Sequence, residues 1–171
     1  MIDNDLRGFA DKAATEALLA TAKAAVRHEV ARLASEIPSI PLRAILESVH
    51  AADSRLWAAQ LAARCGCSRR TLSRRLLEAR LPSPAGLIAW GRALVAAQIM
   101  YERGVTLEDA AFALDLSSSA ALVHLFRRHI GPSPGEVRDA GGVRFLLGLL
   151  RVKRLDFAPP GRSQVRRERH R

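Results

Sequence analysis

A chain of 171 residues, 49% of them apolar, is long enough to bury one good core but too short for two full domains. Its 27 basic residues outnumber 17 acidic ones, and the formal charge of +10 favours phosphate-rich partners, nucleic acid before an anionic membrane surface. No segment approaches the ~18 apolar residues of a membrane span, and the amino-terminal region carries acids and lacks a signal-peptide core, so a cytosolic protein is expected.

The arginines and cysteines narrow the choice further. Arginine supplies 24 of the 27 basic residues, and genome composition alone would give such a bias, so their positions are more informative than their number. Cys65 and Cys67 lie two apart with no second pair, which fits neither a disulfide framework nor a zinc ribbon. We therefore expect no metal and no cofactor, and Cys67 as a small core residue.

Apolar residues recur near the amino terminus with a mean step of about 3.6, at Leu19, Ala22, Val26, Val30, Leu33 and Ile37. This period predicts a helix from about residue 9 to residue 37, which Pro38 ends. The pattern suits a helix packed on its own domain or a short dimer seam better than a long coiled coil. A remnant of a longer ancestor is the third interpretation of residues 1–40.

Turn and capping residues divide the rest of the chain into further helices. The expected spans and caps are 42–51; 56–64, capped by Asp53-Ser54; 69–80, capped by Ser68; 84–103, opened by Ser83-Pro84; 107–114, capped by Thr106; and a helix from the serine run 117–119 to His129. The segment 84–103 is about 20 residues long and would span ~30 Å. Gly131-Pro132-Ser133-Pro134 closes the last of these helices.

The carboxyl-terminal region, residues 140–171, holds a short apolar helix at 143–155 and a basic tail. Packing against the core is the commoner fate of such a helix, and a membrane-surface helix is the alternative. The tail from Arg162 to Arg171 has no apolar period and is expected to be disordered, as a phosphate-seeking arm or as a solvated end. Because no alternating β-type segment occurs, the fold is predicted to be all-α.

The segment 61–76 has the spacing of a helix-turn-helix unit. Such a unit needs a small residue at the helix contact, a residue that tolerates positive φ four places later, and an apolar plug six places further on. Ala62, Gly66 and Leu72 meet this spacing. The second, recognition helix would bury Leu72 and Leu76 and turn its opposite face outward.

That outward face carries the predicted base contacts Arg70, Ser73 and Arg74, and the predicted phosphate contacts Ser68, Arg69 and Thr71. Arginine makes bidentate hydrogen bonds to guanine in the major groove, and hydroxyl groups near the helix start reach phosphates. The alternative is an ordinary solvated basic face on a helical bundle.

A second, degenerate copy of the unit follows about fifty residues later, with a turn one residue longer than in the first. Ala111 is the small contact residue, Asp115 stands at the turn, and Leu122 and Phe126 form the plug. Aspartate is among the few non-glycine residues that adopt left-handed geometry. The outward face holds Ser119, Ala120, Val123 and His124, of which Ser119 and His124 are the base-contact candidates, and Arg127 and Arg128 are predicted phosphate contacts.

These pieces together resemble the DNA-binding domain of the AraC/XylS family of bacterial regulators, from about Leu42 to Arg138. The resemblance rests on LAARCGCSRRTLSRRL, on Ser83-Pro84, on Arg92 to Ala96, and on LFRRHIGPSPGEVR at Leu125 to Arg138. It implies two helix-turn-helix subdomains joined by a long linker helix, with both recognition helices in successive major grooves of double-stranded DNA. The expected division is an N-terminal helical extension at 1–40, the double helix-turn-helix domain at 41–139, and residues 140–171 beyond it.

Three positions depart from the family pattern. Leu81 replaces the usual glycine before the first unit's Ser-Pro, Asp115-Leu116 replaces Gly-Phe in the second turn, and Leu122 stands where an aromatic residue anchors the second recognition helix. We therefore expect the first unit to dominate sequence readout and the second to bind mainly phosphates.

The expected function is a sequence-specific transcription regulator in the bacterial cytoplasm, at the nucleoid, with RNA polymerase and a homodimer through the N-terminal helix as further candidate partners. The alternative is a basic helical protein that binds nucleic acid, or associates with the ribosome, without sequence preference. An enzyme is not expected, because the histidines are scattered, the serines lie at caps and turns, and no phosphate-cradling glycine loop occurs.

Overall fold

The computed structural model of the chain describes residues 3–103 and 105–156, and throughout this part the regular structure is helical. The fold class predicted from the sequence, all-α, is thus confirmed. The helices are α1 (Asp3–Ala31), α2 (Ser39–His50), α3 (Ala58–Arg64), α4 (Arg69–Glu78), α5 (Pro84–Arg103), α6 (Leu107–Ala113), α7 (Ser119–His129), α8 (Pro134–Asp139) and α9 (Val143–Asp156). Within the described residues, none of them is both long and apolar enough to span a membrane. The predicted disordered tail, Arg162 to Arg171, lies outside the described residues.

The first helix ends earlier than its apolar period predicted. α1 stops at Ala31, and the backbone then continues in tight turns, with the amide of Glu36 donating to the carbonyl of Leu33 at 2.9 Å. Pro38 disfavours helical geometry only in Ile37, the residue before it, so it does not account for the turns that begin at residue 32. Leu33 and Ile37 are nevertheless buried, so the turns keep them on the core face that the periodicity identified.

Hydroxyl caps begin five of the described helices. The side chains of Ser68, Ser83, Thr106, Ser118 and Ser133 accept hydrogen bonds from the amides three residues later, at 3.1 to 3.3 Å. The Asp53-Ser54 cap predicted for the third helix is wrong, because α3 begins at Ala58 and Trp57 occupies its N-cap position. Ser54 donates to the carbonyl of Ala51 at 3.1 Å, and Asp53 pairs with Lys23 on α1.

One short helix was missed in the sequence. Residues 131–134 were taken only as the end of the preceding helix, yet Ser133 and Pro134 open α8. The signal was the spacing Ser133-Pro134-Gly135-Glu136. The amide of Ser133 donates to the Glu136 carboxylate at 2.7 Å, while the amide of Glu136 donates to the Ser133 hydroxyl, the reciprocal pair of a capping box.

The long helix α5 is the centre of the molecule and contacts every other helix of the described part. Its residues Ala93 to Met100 are all buried, as is Trp90. α2 crosses α5 at Gly91, where a Cβ would stand 2.5 Å from the backbone carbon and oxygen of Ser48. A single apolar core results, with the helix pairs α3–α4 and α6–α7 attached to the same central helix.

α1 and α9 pack beside each other and against α5. Glu29 pairs with Arg144 at 3.7 Å, and Glu36 pairs with Arg151. All six periodic apolar residues of the amino-terminal segment are buried within the chain. Packing on the chain's own core therefore uses the face that the sequence also offered as a dimer seam.

Candidate nucleic-acid interface

The turn between α3 and α4 has the geometry that its spacing predicted. Gly66 has φ of +71°, its amide donates to the carbonyl of Ala63 at 3.0 Å, and the amide of Cys67 donates to the carbonyl of Ala62 at 3.1 Å. This pair of bonds is the Schellman motif that closes many helices. Leu61, Leu72 and Leu76 are fully buried beneath it, so α4 is held against the core by its apolar side.

The turn between α6 and α7 repeats these bonds with an aspartate in place of glycine. Asp115 has φ of +54°, its amide donates to the carbonyl of Phe112 at 3.0 Å, and the amide of Leu116 donates to the carbonyl of Ala111 at 3.0 Å. Leu122 and Phe126 are fully buried, as expected of the plug residues. The second turn is thus built in the same way as the first despite its missing glycine.

The end of α4 shows how the chain turns without the usual glycine at Leu81. The left-handed position is one residue earlier, at Arg80, with φ of +55°. Leu81 is buried, and its amide donates to the carbonyl of Leu76 at 2.9 Å. The position of Leu81 therefore needs an apolar side chain, and Arg80 bears the conformational cost.

The outer face of α4 is polar, basic and exposed. Arg69, Arg70, Ser73 and Arg74 are all exposed to solvent, and so is the capping residue Ser68. Thr71 is only half-buried, and its hydroxyl lies 3.0 Å from that of Ser68. Near the helix end, Glu78 pairs with Arg75 at 3.3 Å and with Arg74 at 3.9 Å. This acidic neighbour was not identified in the sequence, although its i, i+4 spacing from Arg74 was the signal.

The outer face of α7 has fewer hydrogen-bonding groups. Ala120 and His124 are exposed, whereas Val123 is partly buried. Ser119 is also partly buried, and its hydroxyl donates to the carboxylate of Glu108 on α6 at 3.3 Å. Arg127 and Arg128 are exposed in the last turn. The structure thus places a carboxylate beside the start of α7, which the sequence analysis missed because Glu108 is eleven residues away.

His129 lies at the carboxyl end of α7, where the helix dipole favours a positive charge. Burial lowers its pKa below the usual 6.5, and the charge of Arg128 and the proximity of His124 lower it further. At neutral pH the neutral imidazole is therefore favoured.

Arg92 on α5 forms two hydrogen bonds to the loop before α3. Its Nε donates to the carbonyl of Ala52 at 3.1 Å and its guanidinium to the carbonyl of Ser54 at 2.9 Å. Burial lowers the pKa of Arg92, and the carboxylate of Asp115 opposes that shift. Two backbone carbonyls that would otherwise need water are satisfied in this way, and α3 is positioned relative to α5.

The two cysteines lie on either side of the first turn, and the core position predicted for Cys67 is confirmed only in part. Cys65 is buried, whereas Cys67 is only partly buried against the core. Burial, with the neighbouring Cys67, raises the pKa of the Cys65 thiol to about 11. Among the described residues, no group of three histidine, cysteine or acidic side chains is placed to hold a metal ion.

Residues 61–140 match the family model described as a helix-turn-helix domain. They cover α3 from Leu61 onward, then α4, the central helix α5, the second helix pair and α8. This match agrees with the resemblance to AraC-type helix-turn-helix domains that the motifs of the sequence carry. The match begins at Leu61, so the resemblance that the sequence analysis extended back to Leu42 has this support only from residue 61 onward.

One solved structure has a fold similar to that of this chain. It is described as the crystal structure of a DNA-binding transcriptional dual regulator from Escherichia coli K-12. The TM-score is 0.50 at 20% sequence identity, and the similarity covers 61% of this chain and 94% of the other. At this identity the similarity shows a common fold. No curated protein gave a significant match.

Proposed function

We propose that the chain is a sequence-specific DNA-binding transcription regulator whose recognition helices α4 and α7 enter successive major grooves on one face of double-stranded DNA. Readout by α4 is the stronger of the two. Binding rather than catalysis is the activity of the domain, and it requires no cofactor. RNA polymerase is the further partner that a regulator would contact, and the bacterial nucleoid is its place of action.

The observation that carries this proposal is the outward face of α4. Leu72 and Leu76 fix one side of the helix in the core, so Arg70, Ser73 and Arg74 face away from it without burial. Arg70 and Arg74 are four residues apart on one helix face, as a groove-reading pair must be. Arg69 and the Ser68 hydroxyl lie at the amino terminus of the helix, where phosphate contacts are favoured.

The helix pair α6–α7 supports a smaller contribution of the second unit to base recognition. Ala120 and Val123 offer only apolar contact, and the Ser119 hydroxyl is already engaged by Glu108. A carboxylate at the start of α7 repels phosphates, whereas Arg127 and Arg128 attract them. We therefore assign His124 the main polar base contact of α7 and the two arginines the phosphate contacts.

The length of α5 supports simultaneous binding of both units. A helix of 20 residues spans ~30 Å, close to the ~34 Å repeat between successive major grooves on one face of DNA. The similar fold of a bacterial DNA-binding transcriptional regulator supports the same use of the domain.

The test is selection of bound duplexes from a random pool at near-physiological salt, with Arg74→Ala and a matched control, Arg75→Ala. Arg75 lies on the same helix and is exposed, but it is set off from the face that carries Arg70 and Arg74. Arg74→Ala should relax the preference at one base pair, with a loss of ~1–3 kcal/mol there, while Arg75→Ala should leave the selected sequence unchanged.

Selection without enrichment would overturn the proposal. An affinity that is uniform across sequences and falls steeply with salt would identify the protein as a non-specific basic nucleic-acid binder. The weak hydrogen-bonding capacity of the α7 face is the feature that favours this second candidate.

A further inference from the structure

The N-cap of α3 is occupied by an aromatic side chain that fold stability does not explain. Trp57 precedes α3 in extended geometry, and its amide donates to the Gln60 side chain at 2.9 Å, but its own side chain accepts no hydrogen bond from the first turn of the helix. Serine or threonine caps α4, α6, α7 and α8, so the usual solution is present elsewhere in this chain. The Trp57 side chain is also 66% exposed. A position that has neither a capping side chain nor a buried one needs another reason for its indole.

Trp57 forms one wall of a groove between the starts of α3, α4 and α5. The groove has a volume of about 330 Å³ and is lined by Trp57, Ala58, Ala59, Arg69, Ala85 and Ile88. Most of this lining is apolar, its only charged side chain is the guanidinium of Arg69, and no carboxylate contributes to it. The groove is therefore suited to an elongated ligand that combines an apolar face with a negative charge.

A DNA strand has this chemistry. The C–H face of deoxyribose packs against an aromatic ring and alanine methyl groups, while the adjoining phosphate accepts hydrogen bonds from a guanidinium and from an indole N–H. Arg69 is both part of the groove and the first residue of the recognition helix α4. A strand whose phosphate lies at the start of α4 therefore passes the mouth of the groove.

We propose that this groove holds the sugar–phosphate backbone of the DNA strand beside α4, with the Trp57 indole packed on a deoxyribose and Arg69 bound to the adjoining phosphate. The inference rests on the proposed function and extends the DNA interface from α4 to the start of α3. The contact carries no sequence information, so it adds affinity on every duplex and sets the angle at which α4 enters the groove.

Serine is the informative replacement at this position. Trp57→Ser supplies a good N-cap and removes the indole, so the thermal midpoint should stay the same or rise while the affinity for DNA falls about three- to tenfold. Trp57→Phe keeps an aromatic ring without the N–H donor and should lose less affinity than the serine variant. A role in folding alone would move stability and binding together.

The control is Phe112→Ser. Phe112 is 77% exposed on α6 and lies outside both the groove and the predicted contacts, so its removal deletes an equally exposed aromatic ring elsewhere. Binding should be measured on a mixed-sequence duplex of about 30 base pairs, about three helical turns, at low salt, because a backbone contact does not depend on sequence.

Tryptophan fluorescence gives an independent readout in the unmodified protein. The chain has two tryptophans, and Trp90 is 2% exposed, so a soluble quencher such as acrylamide acts almost entirely on Trp57. Saturation with the duplex should protect Trp57 from the quencher, and Trp57→Phe should abolish the protected component.

The outcomes separate this inference from the proposed function. If the wild-type protein binds duplexes but Trp57→Ser binds equally well and quenching is unchanged on saturation, the groove does not hold DNA and the proposed function stands. If the indole is protected only by RNA polymerase, the groove is a protein-docking site and the inference is overturned. If the wild-type protein binds no duplex at all, both proposals fail.

Discussion

Gly91 is the residue at which the smallest change should have the largest structural effect. A Cβ at this position would lie 2.5 Å from the backbone of Ser48, which belongs to α2 and cannot rotate away as a side chain would. We predict that Gly91→Ala lowers the free energy of unfolding by ~1–3 kcal/mol, because α2 and α5 must separate. Urea denaturation followed by circular dichroism measures this change.

Gly148 provides the matched control within α9. A Cβ there meets no atom within 4 Å, and the residue lies inside a helix. Gly148→Ala should therefore leave stability unchanged or raise it by ~0.5–1 kcal/mol. Equal destabilisation by both substitutions would show that the close contact between α2 and α5 is not what constrains Gly91.

Replacement of Asp115 by glycine should make the fold more stable. Its φ of +54° is unfavourable for a residue with a Cβ, less so for aspartate than for alanine. We expect Asp115→Gly to raise the thermal midpoint slightly and Asp115→Ala to lower it, the two variants differing by ~1 kcal/mol in unfolding free energy. Thermal denaturation of the three proteins tests this order, and a more stable alanine variant would contradict the left-handed turn.

His129 makes stability depend on pH. Its pKa is lowered in the folded state, chiefly by burial, so the unfolded chain takes up the proton more readily. This contribution to stability is fully present above the unfolded pKa of about 6.5 and is lost as pH falls toward the folded pKa. Urea denaturation at about pH 7.5 and about pH 5.5 should show a smaller decline for His129→Gln than for wild type. An unchanged decline would mean that other groups cause it.

The elements that the sequence predicted well are those with a local physical signal. Serine and threonine caps located the starts of α4, α6 and α7, and Ser83-Pro84 located that of α5, because a helix start has free amides that a nearby hydroxyl satisfies. The turn at Asp115 could be inferred because few residues tolerate positive φ. The end of α1 and the start of α3 were misplaced, since tertiary packing rather than local capping sets both.

The residues of the candidate interface fall into the same two groups, those with a local sequence signal and those placed by the packing of helices. The faces of α4 and α7 followed from helical periodicity, which correctly separated the buried leucines and Phe126 from the exposed arginines. Glu108 beside Ser119 and Arg69 beside Trp57 could not be inferred in this way, because each pair joins two different helices. A contact of this kind depends on how the helices pack.

Packing of α1 within its own chain argues that the protein is a monomer. Val26 and Val30 are fully buried inside the single chain, so the face that could form a dimer seam is already covered. We predict a mass near 18.6 kDa by analytical ultracentrifugation in the absence of DNA. Val26→Ala should lower stability by ~1–3 kcal/mol and leave this mass unchanged. A wild-type dimer that Val26→Ala dissociates would show instead that α1 packs between chains.

The net charge of the protein and the placement of its two helix pairs both suit binding to DNA. Exposed arginines of α4 and α7 extend from pairs attached to one central helix, and α1 and α9 pack against the same helix. The net charge of +10 then attracts DNA at long range, and the outer face of α4 selects among sequences. We expect the two units to differ in this respect, with α4 reading sequence and α7 binding mainly phosphates.

Hydroxyl-radical footprinting of the protein on a selected duplex tests this difference between the two units. We predict two protected clusters on one face of the DNA, about one helical turn of ~10 base pairs apart, and a higher protein concentration for half-protection with Arg74→Ala than with wild type. Protection spread evenly along the duplex, at a concentration that Arg74→Ala leaves unchanged, would contradict sequence readout by α4.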